Sequence, residues 1–283
     1  MATAVATRQV DSTIGRKRSI VFPILAGLIA LFGFVLLDGV REAIAPWSLH
    51  VDYDNQPELN KWHYVGHGAT VGVLLSGSML ALVWQPARKP LLLQMYVLGF
   101  MTLALTYGLA DPMAVVGFLP IIGVIAALLT AVYPDRRAIW TFSKLGASRL
   151  MLGMTALAAV GMAPAIIRAF TYFFDEPAFE GAADPERWGA DIIMSFVLII
   201  AGLLVSSKRG GWRTLGVIVG IDFFYIGVSA LTIPNQAGSW GTIGGILSIA
   251  FAVIWLAALR HESDVDRRAN PAPSAVSDVG VPR

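Results

Sequence analysis

The chain contains no cysteine, which excludes disulfides, thiolate metal centres and cysteine nucleophiles. Charge is scarce as well. Asp, Glu, Lys and Arg make up 14% of the residues, against roughly a quarter in soluble domains. No Walker sequence, no Gly-x-Ser-x-Gly and no dinucleotide fingerprint occurs. Basic and aromatic residues do not interleave as they do on nucleic-acid surfaces, so no nucleic-acid partner is expected. Any metal site must use His, carboxylate, Met or backbone oxygen.

Apolar residues fill the space instead. They form 56% of the chain, and the charges cluster in short segments that leave long uncharged runs between them. Runs of about 20 apolar residues cross a bilayer as helices, because only a helix satisfies its own backbone there. The expected fold class is therefore all-α: a polytopic integral membrane helical bundle whose first partner is the lipid bilayer.

Eight spans are expected. Residues 1–19 form a cytoplasmic N-terminal segment ending in Arg16, Lys17 and Arg18, and Ile20–Leu37 is the first apolar run. A basic leader before an apolar run also describes a signal peptide, with Ala43-Ile44-Ala45 as its cleavage site. The run exceeds the roughly 7–15 residues of a signal core, which favours a retained helix. Asp38–Lys61 reads as a polar loop. A hairpin follows: Trp62-His63-Tyr64-Val65-Gly66-His67-Gly68 leads an apolar run to Trp84, a basic turn carries Arg88 and Lys89, and a second run ends at Asp111-Pro112. Met113–Val132 is the fourth span. The fifth lies within Arg149–Phe174, with a kink expected at Pro164, and the sixth is Trp188–Val205. The seventh is Thr214–Ile233 and the eighth Trp240–Leu259, so the transmembrane domain covers 20–259. Residues 260–283 read as a disordered cytoplasmic tail.

The charges orient these spans. Lys and Arg cluster before the first, between second and third, between fourth and fifth, between sixth and seventh, and after the eighth. Those positions share one side, and the opposite connections are acidic or neutral. By the positive-inside rule both termini are cytoplasmic, in a multi-pass protein of the plasma membrane. A repeat is also suggested. Gly68-Ala69 matches Gly189-Ala190, Pro112 matches Pro234, and Arg88 matches Arg209. Four helices per half would give a 4+4 same-orientation repeat with a ligand site between the halves.

Few polar residues enter the spans. His63 and His67 are four apart on one helical face, a spacing that can hold a divalent metal, with Asp111 as a further ligand. The zinc-protease pattern requires Glu after the first histidine, and here that residue is Tyr64. The plainer alternative is an interfacial anchor beside Trp62 and Tyr64. Asp222 lies near the bilayer centre, where a carboxylate is costly and marks a pathway or a buried partner. Tyr225 and Ser229 share its face. Asp191 occupies the first outer turn of the sixth span. Arg168, in the outer part of the fifth, needs an anionic partner such as Asp191 or Asp38, or a route to the interface. Two familiar membrane chemistries do not fit. Spans six to eight contain no lysine for a Schiff base, and the two spanning histidines share one helix, which disfavours a bis-His haem.

The leading functional expectation is a small-solute transporter or permease, proton-coupled through Asp222, Arg168, Asp191 and Tyr225. The alternative is a membrane-embedded metal-dependent enzyme with an outward-facing site at His63, His67 and Asp111. A third is an accessory structural subunit. Association into an oligomer is compatible with each.

Overall fold

The computed structural model describes residues 20–48, 61–110, 112–141, 147–174 and 185–269. The N-terminal segment 1–19, Asp111 and the tail beyond Ala269 lie outside the described residues. Every regular element among those described is helical.

The first apolar run folds as α1 (Ile20–Leu36), whose last turn, Phe32–Leu36, is π-helical. The chain then breaks at Asp38, which adopts left-handed backbone with φ 54°. A short helix α2 (Gly39–Ile44) follows, running into a 3-10 turn over Ala45–Trp47. The two pieces are bent by 54°, so the first span is a broken one. Residues expected in a solvated loop, Gly39 to Trp47, are thus part of the bundle. The reason is packing by small residues. Gly39 and Ala43 on α2 face Gly72 and Gly68 of the next helix, and a Cβ on Gly68 would lie 2.7 Å from Ala43 Cα. Small residues four apart on both partners let two backbones touch.

That next helix, α3 (Lys61–Leu82), is π-helical over Gly68–Ser76. A 3-10 turn at Pro86–Arg88 leads into α4 (Pro90–Ala110), and α5 (Pro112–Val132) follows. Helix α6 (Arg136–Ile139) is a single turn whose Asp135 side chain accepts from the Ala138 amide. Helices α7 (Arg149–Phe174) and α8 (Pro185–Ser206) come next. The chain ends in α9 (Trp212–Thr232) and α10 (Gly241–Ala269). Helix α10 runs past Leu259, where the eighth span was expected to end. Residues 260–269, expected in a disordered tail, are therefore helical. Pro164 lies inside α7 without interrupting it.

By length and apolarity, six of these helices can cross a membrane, or seven if the bent pair counts as one span. The expectation was eight. The remaining run, α5, offers a shorter apolar stretch over Pro120–Val132.

Burial separates centre from periphery. The apolar windows of α3 and α8 are 72% and 78% buried, whereas those of α7 and α10 are 28% buried. Helices α3 and α8 touch each other, α8 also meets α4 and α9, and α3 also meets α4 and α9. The first span packs on α3 and α7 packs on α8, while α5 lies on α4 and α10 on α9. At one end, the turns carrying Arg88 and Arg209 meet: the Leu91 amide donates to Gly210 O at 3.2 Å. Arg209 also donates to Gln94 Oε1 at 2.8 Å and to the carbonyl of Ala138. In α9, Gly216, Gly220 and Gly227 admit Leu259, Leu256 and Ile249 of α10, and Trp255 Nε1 donates to Gly216 O at 2.8 Å.

Candidate functional site

The break in the first span positions a carboxylate. Glu42 projects from α2 toward α3, and its Oε1 lies 3.3 Å from His67 Nδ1. The other imidazole nitrogen, Nε2, is 2.5 Å from the Tyr107 hydroxyl on α4. A carboxylate, an imidazole and a phenol are therefore joined in a line across three elements. Such an arrangement can pass a proton, since imidazole gives one from one nitrogen while taking one at the other.

Immediately beside this line stands Tyr225. A Cβ on Gly68 would lie 2.8 Å from its hydroxyl, so the ring oxygen sits against the α2–α3 contact, next to His67 in sequence. Glu42 and Asp222 both act electrostatically on its phenol. Asp222 is fully buried midway along α9, roughly 15 Å from either helix end. Asp222, Tyr225 and Ser229 form one stripe of that helix. Tyr225 and Ser229 face one another without a well-formed hydrogen bond, and both Asp222 oxygens and Glu42 Oε2 are buried without a partner. Most buried polar groups in proteins are hydrogen-bonded, so a run of unpaired oxygens across α2 and α9 requires a reason.

The remaining expected residues form a second cluster, near the start of α10. Trp62 Nε1 donates to Asp191 Oδ1 at 2.8 Å. Gly238, with φ 91°, lies where a Cβ would be 2.6 Å from the Trp62 ring and 3.1 Å from Asp191 Oδ2. Arg168 donates to the carbonyls of Gly238 at 2.5 Å and Ser239 at 3.3 Å. It forms no ion pair with Asp191 or Asp38: Asp191 holds Trp62, and Asp38 lies within 4.0 Å of Arg41. Asp191 and Arg168 are thus brought together through one loop, apart from the pair Asp222 and Tyr225.

His63 and His67 stack with ring centroids 4.4 Å apart. Both nitrogens of His67 are already engaged, by Glu42 and Tyr107. Among the described residues no three His, Asp or Glu side chains converge as a metal cradle. Asp111, the third ligand expected, lies outside them.

Sequence reasoning missed Glu42 and Tyr107. Glu42 was read as part of a loop, although Gly39 and Ala43 repeat the small-residue spacing of Gly68 and Gly72 and could have flagged the contact. Tyr107 looked like any aromatic of an apolar run, and no local signal distinguishes it. Comparison of the chain with protein-family models, with curated proteins and with solved structures gives no match.

Proposed function

We propose that this chain is a small-solute transporter of the plasma membrane, proton-coupled, with both termini cytoplasmic. The observation that carries the reading is the Glu42–His67–Tyr107 line at the break in the first span, adjoined through Tyr225 to the unpaired Asp222 at mid-helix. A broken span and a π-helical partner are the backbone irregularities that accompany ion and solute sites in bundles. An ionisable residue deep in a span is retained where it serves a pathway.

The helix contacts support the same reading. The first span on α3 corresponds to α7 on α8, α5 on α4 to α10 on α9, and α4 on α8 to α9 on α3. The turns of Arg88 and Arg209 meet as two equivalent turns beside an axis would. That is the pattern of two same-orientation halves, and Glu42, His67 and Tyr107 come from one half while Asp222 and Tyr225 come from the other. The solute is bound between them in this reading.

Proteoliposomes loaded with a pH-sensitive dye test it. Small amino acids, sugars, carboxylates and inorganic cations are added in turn across an imposed pH gradient. One of them is expected to drive proton movement in the wild type, and the Glu42→Gln variant is expected to lose it. Solute flux indifferent to pH would remove the proton coupling, and no flux for any class would overturn the transporter reading.

A further inference from the structure

A second cavity lies away from the Glu42–Asp222 chain and is independent of the transport reading. Helices α7 and α10 stand at the periphery and touch only slightly. Between them runs a crevice of about 640 Å³, floored by Phe223 of α9, within the roughly 300–1,000 Å³ typical of small-ligand sites. Its walls are apolar, and Leu157, Leu247 and Ile254 on its two sides are exposed on the bundle surface. The mouth therefore opens sideways, between lipid-facing helix surfaces. Gly161 lines it with nothing within 4 Å of where its Cβ would be, so this wall is open space rather than a packed seam.

One end alone is polar. Arg168, Ser239 and Trp240 close it. Arg168 Nη2 is spent on the carbonyls of Gly238 and Ser239, but its Nε is buried with no acceptor. Trp240 Nε1 is also buried with no acceptor. Two unsatisfied donors, one of them on a cation without a described carboxylate partner, call for an anionic oxygen. From Trp240 to Ile254 the crevice follows roughly 20 Å of helix, similar to one leaflet's share of a hydrocarbon core about 30 Å thick.

We propose that this crevice is a binding site for an anionic phospholipid, one acyl chain lying between α7 and α10 and its phosphate meeting Arg168 Nε and Trp240 Nε1. The lateral opening delivers the ligand from the bilayer. The depth fits a chain within one leaflet, and the donors stand at the end of the bundle where Trp and Arg meet head groups.

The test uses the full chain, stripped of lipid in detergent and offered vesicles of dioleoyl phosphatidylcholine with a minor share of dioleoyl phosphatidylglycerol. Native mass spectrometry counts retained lipid, and oleate is offered in a separate arm. The wild type is expected to retain phosphatidylglycerol selectively. Arg168→Gln is expected to lower that selectivity roughly tenfold, the worth of one charge-assisted hydrogen bond. Because Arg168 also ties down the 238–239 loop, Gly161→Phe provides a variant that leaves the loop alone. It fills the open wall and is expected to reduce retention of phosphatidylglycerol while thermal stability holds. Equal retention of both phospholipids by the wild type overturns the proposal, as does selective retention of oleate alone. Unchanged retention in Gly161→Phe overturns it too.

Discussion

His67 meets Glu42 across the break in the first span, Nδ1 lying 3.3 Å from Oε1, while its Nε2 is held 2.5 Å from the Tyr107 hydroxyl. These three residues come from α2, α3 and α4, so the line exists only when those helices are in place. In the transport reading, Glu42→Gln and His67→Ala each lower coupled flux by about 10²-fold or more, the scale for a lost proton-transfer group. Tyr107→Phe, which removes only the far hydroxyl, is the milder change. Proton-flux assays on folded variants check this. Equal and small effects from all three would leave the line a purely structural one.

Asp222 carries a prediction of opposite sign on two measurements. Its oxygens are buried without a partner, and leaving a polar group so costs about 1–3 kcal/mol. Replacing it with Leu is therefore expected to raise the unfolding midpoint in detergent while coupled transport disappears. Asp222→Asn is expected to keep the fold and lose the coupling. A Leu variant less stable than the wild type would reveal a hydrogen-bond partner and a role as helix glue.

The α2–α3 contact depends on missing side chains. Gly68→Ala places a Cβ 2.7 Å from both Ala43 Cα and Ala43 N, backbone atoms that cannot swing aside. A loss of about 1–3 kcal/mol is expected, as for other overpacked positions. Gly153 in α7 meets nothing within 4 Å. Gly153→Ala should therefore gain about 0.5–1 kcal/mol from helix propensity. Chemical denaturation of both variants supplies the comparison.

Asp191 was expected in the transport path, and the structure gives it the indole of Trp62. Trp62→Phe leaves a buried carboxylate oxygen without that donor and is expected to cost about 1–3 kcal/mol. Asp191→Asn should leave transport unchanged. A coupled flux lost in Asp191→Asn with stability intact would return Asp191 to the pathway.

At the other end of the bundle, Lys208 sits in the α8–α9 turn and binds Glu262 and Asp266 of α10, the latter at 2.9 Å. Burial opposes its charge, but hydrogen bonds and the fields of the two carboxylates outweigh that and hold its pKa above the ordinary 10.5. A raised lysine stabilises fully below its unfolded value, and the contribution fades as pH climbs through the folded one. Stability from this cluster should thus be flat across neutral pH and fall only above about 10.5. Lys208→Met should lower the neutral plateau by about 1–3 kcal/mol and remove that alkaline step. Thermal melts in buffers spanning the range read both.

Much of the fold was legible because hydrocarbon leaves the backbone one option. A run such as Leu91–Ala110 must satisfy its own amides, so it is helical, and Pro112, Pro234 and the charged turns say where runs stop. Asp222 and Tyr225 were legible as a pair for the same reason, since a fixed helical period puts them on one face. Where α1 ends was not. Its break at Asp38 follows from contacts between Gly39 or Ala43 and residues of α3, which local hydropathy does not register.

The site itself was a tertiary decision. His67 finds Glu42 at a separation of 25 residues and Tyr107 at 40, and apolar helices carry no pattern that fixes which faces meet. In the bilayer that choice rests on small residues and close packing, not on hydrophobic contrast. Composition and period determined that this chain is a helical membrane bundle with a carboxylate in its interior. Only the packing of α2 against the π-helical stretch of α3 decided that Glu42, His67 and Tyr107 form one line beside it.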